Sequence, residues 1–228
     1  MDRGLYIAAS GMLSEMARQD ILANDLANSS TPGYKADRAE QRSFQDVLLH
    51  NTQTGAVIGP IGPGSFISRQ NTDFTPAPVK DTGQDLDFAV EGDGFFAVRT
   101  TQGQRFTRNG SFQTGPNGLL VDQLGNQVLD QRGQPINVAA DGTVDPTKLG
   151  VFTVTNPRKA GDSNFTGTAA GKATGSVRAG ALEGSGVDPA RAMIDMMTSL
   201  RAYESGQKAI QTIDSSLDQA ASRVGSTG

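Results

Sequence analysis

The chain has 228 residues, a formal net charge of −4, 36% hydrophobic residues, one histidine and no cysteine. That mild acidic balance leaves no electrostatic footprint for a nucleic-acid backbone, and without cysteine there are no disulfides, thiol nucleophiles or thiolate metal sites. With 28 glycines and 10 prolines the chain is turn-rich, and its low apolar share points to modest cores rather than one large one.

Residues 1–28 read as one amphipathic helix with Asp2 as its N-cap. Leu5, Ala9, Met12, Met16, Gln19, Ala23 and Leu26 follow one another at alternating steps of four and three, and only Gln19 is polar. This is a coiled-coil seam, and a lone helix cannot bury its own seam. Gly11 in the interior costs about 1 kcal/mol against alanine, so the helix relies on partners. Glu15, Arg18, Asp20 and Asp25 interrupt the apolar residues, so no signal-peptide core is expected, and no run approaches the roughly 18 apolar residues of a membrane span. In the stretch SSTPGYK, Pro32 pushes Thr31 out of the helical region and Gly33 permits a reversal, which makes Ser29–Lys35 a turn.

From Ala36 to His50 a weaker helical pattern places Phe44, Val47 and Leu48 on one side. Residues 51–64 are rich in glycine and proline and read as a linker, and 65–83 stay extended because Pro76 and Pro78 forbid a helix. Between Leu86 and Val154 the period changes to two, in short β-rich runs separated by Gly92-Asp93-Gly94, Asn109-Gly110, Asn117-Gly118, Gly125-Asn126 and Asp141-Gly142. Such spacing predicts a mostly antiparallel β domain, barrel or sandwich-like. Residues 156–187 are small and polar and read as an extended return. Asp188-Pro189 then opens a second helix. Its seam holds Met193, Met196, Leu200, Tyr203, Ile210, Leu217, Ala221 and Val224, with Gln207 and Asp214 as polar exceptions and Gly225 as the stop.

The fold class is therefore α+β, a central β domain with N- and C-terminal helices pairing as a coiled coil. The expected boundaries are 1–35 for the first helix and turn, 36–64 for a connecting segment, and 65–155 for the β domain. The return follows at 156–187 and the last helix at 188–228. The seams could close on each other within one chain or pack against other chains, and pattern alone does not choose.

No catalytic constellation is expected: a single histidine serves no Ser–His–acid triad, and there is no HExxH. Asp85, Asp87, Glu91 and Asp93 lack the oxygen-ligand spacing of a calcium loop and read as a solvated edge. Asn109-Gly110 reads as a hairpin turn, and the run Gly59–Gly64 as a hinge rather than a phosphate loop, since no Lys-Ser/Thr follows. His50 reads as a surface residue at a helix end. Arg105 and Arg108 are too few for a nucleic-acid surface. Of Gln19, Gln207 and Asp214, any one more commonly faces solvent than sets register. No cofactor, metal or small-molecule substrate is expected.

Three blocks carry a resemblance. Leu26-Ala27-Asn28-Ser29-Ser30-Thr31-Pro32-Gly33-Tyr34-Lys35 resembles the N-terminal signature of bacterial flagellar rod and hook proteins. The stretch LDFAVEGDGFFAVRT with RFTRNGSF and GLLVDQLGNQVL resembles their central β domain, and GALEGSGVDPARAMIDMMTSLRAYESGQKAIQTIDSSL their C-terminal helix. The chain is accordingly identified as a member of the flagellar basal-body rod family of the FlgF/FlgG type, its MDRGLY start and LDFAVEGDGFF block most like the proximal rod type. Two departures are Gly186, where the family has Asn, and a shortened region after Val154.

The resemblance implies a structural subunit of the drive shaft, located in the basal body outside the cytoplasm and exported through the flagellum's own channel. Its partners would be copies of itself and other rod and hook proteins, together with the export apparatus. No nucleic acid or membrane insertion is implied. Carried over residue by residue, Asn28, Thr31, Pro32, Gly33, Tyr34 and Lys35 form the signature turn, which fixes how the first helix leaves the polymer core. The alternatives are a hook-like axial protein and, from a different class, a peptidoglycan-binding or hydrolysing β domain.

Overall fold

The structure, a computed structural model, describes residues 2–43, 47–50, 57–61 and 64–225, with side chains over 4–42 and 64–222. It divides into two compact units, residues 1–26, 37–71 and 189–228 in one, and 27–36 and 72–188 in the other.

The first unit holds both long helices, α1 (Asp2–Ala27) and α2 (Pro189–Gly225). It also holds β1 (Asp37–Ser43), β2 (Val47–His50), β3 (Val57–Ile61) and β4 (Ser65–Thr72). β1 pairs with β4, and β2 pairs antiparallel with β3. The helix expected over Ala36–His50 is thus two strands, and the expected linker carries a third. β1 reads Asp-Arg-Ala-Glu-Gln-Arg-Ser, a run with no apolar alternation, and only its pairing with β4 makes it a strand. β3 tolerates Pro60 because a two-stranded ribbon leaves each strand an edge. Phe44 lies outside the described residues, as do the side chains of Val47, Leu48 and His50. His50 itself stands in a strand rather than at a helix end.

The second unit is the β region. Its strands are β5 (Val79–Asp81), β6 (Phe88–Glu91), β7 (Phe95–Thr100), β8 (Gly103–Thr107), β9 (Gln113–Thr114), β10 (Leu120–Val121) and β11 (Gln127–Leu129). β12 (Val151–Lys159), β13 (Asn164–Lys172), β14 (Ser176–Ala179) and β15 (Ala181–Glu183) complete it. Seven strands run in the order β12-β13-β8-β7-β11-β10-β9, and β12 also pairs with β7. The antiparallel ring β12-β13-β8-β7 is therefore closed, a small barrel.

β7 explains the arrangement. Its Phe95-Phe96-Ala97-Val98 is buried throughout because both faces are covered. Phe95 and Ala97 join Phe106, Leu129 and Phe165 in one cluster, and Phe96 and Val98 join Phe88, Phe112, Leu120 and Val128 in another. Phe74 meets Phe95 and Phe165 edge-on, with centroids 6.0 and 5.4 Å apart, and so caps the first cluster with the T-shaped geometry aromatic rings favour.

Residues 156–187 are extended but are not a bare return: β13 closes the ring, β14 pairs with β6 and β15 with β5. Asn109-Gly110 is not a hairpin turn, because β8 pairs with β7 and β13 instead of β9. Gly110 answers a different need, since a Cβ there would lie 1.7 Å from the carbonyl oxygen of Phe88. Of the four clustered acids, Asp87 is buried and accepts the Thr82 hydroxyl at 2.7 Å, while Asp85, Glu91 and Asp93 are exposed.

Candidate functional site

Within the helical unit, contacts run antiparallel from α1 to α2. A Cβ on Gly4 would approach Ile213, one on Gly206 would lie 2.7 Å from Met12 Cγ, and the Ser199 hydroxyl donates to Glu15 Oε2 at 2.6 Å. The half-buried line of α1 is Leu5, Ala8, Met12, Glu15, Gln19, Leu22 and Leu26. On α2 it is Ala192, Met196, Ser199, Tyr203, Gly206, Ile210, Ile213 and Leu217, with Ala192 and Ser199 fully buried. Leu5, Met12 and Leu26 of the expected first seam lie on this line, as do Met196, Tyr203, Ile210 and Leu217 of the second.

The other seam residues do not. Ala9, Met16 and Ala23, and Met193, Leu200 and Ala221, are exposed, and the side chain of Val224 lies outside those described. Each helix instead carries a second apolar stripe. Tyr6, Ile7, Leu13 and Met16 are between 42% and 66% exposed on α1, and Met193, Ile194, Met197 and Leu200 between 47% and 59% on α2. The sequence pattern merged two stripes into one seam. It overlooked Ser199 and Gly206, whose small size every seventh residue, with Ala192, was the available signal. Gln19 does face inward, and its Nε2 is buried without a hydrogen-bond partner.

Beside the first stripe runs a groove of about 390 Å³, lined by Tyr6, Ala9, Leu13, Ala17, Phe66 and Ile67. Its floor is pinned by polar contacts. Gln41 Nε2 donates to Ser14 Oγ at 3.0 Å and to Ser65 Oγ at 3.2 Å, tying α1, β1 and β4 together. Near the end of α1 the Asp25 carboxylate accepts the Asp37 N–H at 3.1 and 3.3 Å, which fixes the start of β1.

The signature turn belongs to the β unit. Thr31 N–H donates to Asn28 O at 3.0 Å, and the Thr31 hydroxyl to Asn28 Oδ1 at 3.1 Å. Gly33, at φ 66°, donates its N–H to Glu183 O at 2.9 Å, and Gly186 N–H donates to Tyr34 O at 2.9 Å. The Ser185 hydroxyl reaches Asn28 O at 2.9 Å. Tyr34 is buried, with Lys159 Nζ 4.1 Å above its ring, and Pro32 is half-buried. The turn is therefore sewn to residues 183–186, the start of the third resembling block.

At its end lies a buried ion cluster that sequence reasoning missed. Lys35 is fully buried, and its Nζ donates to Glu183 Oε1 at 2.6 Å and Thr75 O at 2.8 Å. Arg108 donates through Nη1 to Glu183 Oε2 at 3.0 Å and through Nη2 to Gly92 O at 2.9 Å, with its guanidinium 5.1 Å over the Phe95 ring. Arg108 has only Arg105 near it and Glu183 stands alone in its stretch, so no spacing announced the cluster.

Loss of water lowers the Lys35 pKa below the usual 10.5, Arg108 lowers it further, and the bond and charge of Glu183 oppose both. A lysine whose folded pKa is depressed binds fewer protons folded than unfolded. Its contribution therefore favours folding increasingly as pH rises from the lowered value to 10.5. Urea midpoints of the wild type and Lys35→Met across that window should show the gap moving in the wild type's favour, at no more than about 1.4 kcal/mol per pH unit. A gap flat in pH would contradict this.

Among the described residues, no group of His, Asp or Glu could hold a metal ion, and no helix is long and apolar enough to cross a membrane. Paired helices with a further apolar stripe turned outward belong to proteins that work by packing against others. Comparison with known proteins makes the class specific. Residues 5–35 match the flagella basal body rod protein family, 89–146 the flagellar hook protein FlgE/F/G D1 domain, and 178–223 the flagellar basal body rod FlgEFG protein C-terminal family. The chain is 32% identical to the flagellar basal-body rod protein FlgF of Caulobacter vibrioides, over 99% of each chain. It is 31% identical to FlgF of Escherichia coli, over 96% of this chain and 97% of that one. To FlgG of Bacillus subtilis it is 30% identical, over 96% and 98%. The chain belongs to the flagellar basal-body rod protein family, and its function is that of a structural subunit of the bacterial flagellar rod.

Proposed function

We propose that the helical unit builds this subunit into the rod, and that the outer stripes of α1 and α2 are the surfaces that dock neighbouring subunits. The observation that carries this is the pair of exposed stripes, Tyr6–Met16 and Met193–Leu200, on helices whose inward faces are already engaged within the chain. Large apolar side chains clustered in solvent mark an interaction face. Packed against a neighbour, each would contribute on the order of 1.5–3 kcal/mol. The seams then work in two layers, an inner one pairing the helices of one chain as a coiled coil and an outer one packing the pair against other chains. Head-to-tail contacts that do not close into a ring produce an axial filament.

The partners in this reading are copies of the chain and other rod and hook proteins, with the export apparatus delivering it outside the cytoplasm. Torque passes through packed surfaces, and the β unit needs no enzymatic activity. Relatives named FlgF and FlgG match at similar identity, so the reading extends to the rod and not to one level of it.

The test is Leu13→Asp and Met197→Asp, both at exposed positions. Each variant should keep the circular-dichroism spectrum and thermal midpoint of the wild type. Each should cost about 2 kcal/mol or more per contact once a neighbour covers the carboxylate. A strain carrying either should build few rods by electron microscopy and swim poorly. Normal rods and swimming in both would overturn the docking role of the stripes.

A further inference from the structure

The ion cluster of the β unit joins three segments that are far apart in the chain. Lys35 ends the signature turn, Arg108 follows β8, and Glu183 ends β15. Each also falls within a different matched family segment, 5–35, 89–146 and 178–223. One carboxylate faces two cations, all three side chains at most 3% exposed. Glu183 does more than pair charges. Its Oε1 also accepts the Ala77 N–H at 2.9 Å, its carbonyl accepts Gly33 N–H, and the next residue, Gly184, donates to Pro78 O at 2.9 Å. Lys35 in turn holds Thr75 O. The segments so tied, 33–35, 75–78 and 183–186, lie beside three of the four places where the chain passes from one unit to the other, at 36/37, 71/72 and 188/189.

We infer that Glu183 is the keystone of a closure latch: its carboxylate makes the three border segments of the β unit open and close as one body. Lys35 and Arg108 both precede Glu183 in the chain. Until residue 183 arrives they are two cations with no shared anion, and bringing them together in a dry site is unfavourable. The β unit therefore stays unlatched while its last strand is missing and locks when that strand docks. Asp73 is the other acid whose charge acts on Lys35, and its Oδ1 already accepts the N–H and hydroxyl of Thr75. The orphaned, buried Arg108 Nε shows how little else is available to balance the cluster. The latch operates whether or not the outer stripes dock a neighbour.

The charge count predicts an asymmetry that simple packing does not. In the full-length chain, Glu183→Gln leaves two buried cations opposed, whereas Lys35→Met leaves a neutral Glu183–Arg108 pair. Amide hydrogen exchange read by mass spectrometry should show Gly33, Ala77, Gly184 and Gly186 of Glu183→Gln exchanging at least tenfold faster together. Amides of the β7–β8 hairpin should change less than threefold. Lys35→Met should stay near the wild type. The double variant Lys35→Met/Glu183→Gln should recover most of the lost protection, a coupling of the sign a double-mutant cycle detects. If Glu183→Gln fails to fold, folding of the double variant supports the latch. The inference is overturned if the border amides respond one at a time, if they do not respond, or if the double variant is no better than Glu183→Gln.

Discussion

Replacing Gly33 by alanine is expected to destabilise the β unit by about 3–5 kcal/mol, far beyond what one methyl group suggests. Two causes add. Gly33 sits at φ 66°, where an L-residue costs about 1–2 kcal/mol. Its Cβ would also fall 2.3 Å from the Arg108 carbonyl carbon, 2.4 Å from Asn109 N and 2.5 Å from Arg108 O. All three are backbone atoms and cannot swing aside, so residues 108 and 109 must shift and carry the Arg108 guanidinium with them. Gly118→Ala is the control, because its φ of 69° is nearly the same and nothing lies within 4 Å of the added methyl. Urea midpoints should place Gly118→Ala about 1 kcal/mol below the wild type and Gly33→Ala well below that. Equal losses in the two variants would show that backbone conformation, and not contact with Arg108, is what requires glycine in the signature turn.

The second large effect concerns where the β unit begins and ends. A fragment of residues 27–188 should fold by itself with a cooperative transition, and one of residues 36–187 should be roughly 4 kcal/mol or more less stable, or unfolded. The shorter fragment loses the burial of Tyr34, a residue only 6% exposed, which is of the order of 1.5–3 kcal/mol. It also removes the partners of Glu183 O, on a buried residue and so at about 1–3 kcal/mol, and of Gly186 N–H, on an exposed residue that water can satisfy. Lys35 is the lesser loss, since its departure leaves Glu183 and Arg108 as a neutral pair. Near-ultraviolet circular dichroism and thermal melting would separate the outcomes. If residues 36–187 melt as cooperatively as 27–188, the turn is merely attached to the β unit and is no part of it. A fragment stopping at residue 155 removes β13 and opens the ring, so it should not fold at all.

Much of this was legible from residue order. Both long helices announced themselves by apolar periodicity and by Asp188-Pro189, and the buried FFAV of β7 by its setting among turn residues. What escaped notice depended on partners distant in sequence. The helical pattern over Ala36–His50 gave way because β1 finds its ladder in β4, beyond the glycine-rich stretch. Val151–Val154 of β12 fell within the expected β runs, but its continuation Thr-Asn-Pro-Arg-Lys and all of β13, Asn-Phe-Thr-Gly-Thr-Ala-Ala-Gly-Lys, are mostly small and polar, so no alternation marked them as barrel strands. Their connection bends at Asp162 and Ser163, two non-glycine residues with positive φ. About half of the expected seam residues lie off the line along which the two helices meet, because each helix has more apolar positions than one heptad line can hold. The ion cluster was invisible for a simpler reason: one lysine, one arginine and one glutamate separated by more than seventy residues make no motif.

The closed ring of β7, β8, β13 and β12 bears on how such a subunit can polymerise safely. A strand with a free edge is a template for any other strand, and chains crowded together in extended form are at risk of joining that way. β7 is paired along both sides, by β8 on one and by β11 and β12 on the other, while ring closure covers β12 at Val151 and Phe152 and β13 at Asn164 and Phe165. The centre of the β unit is thereby closed to the indiscriminate backbone pairing that ends in fibrils.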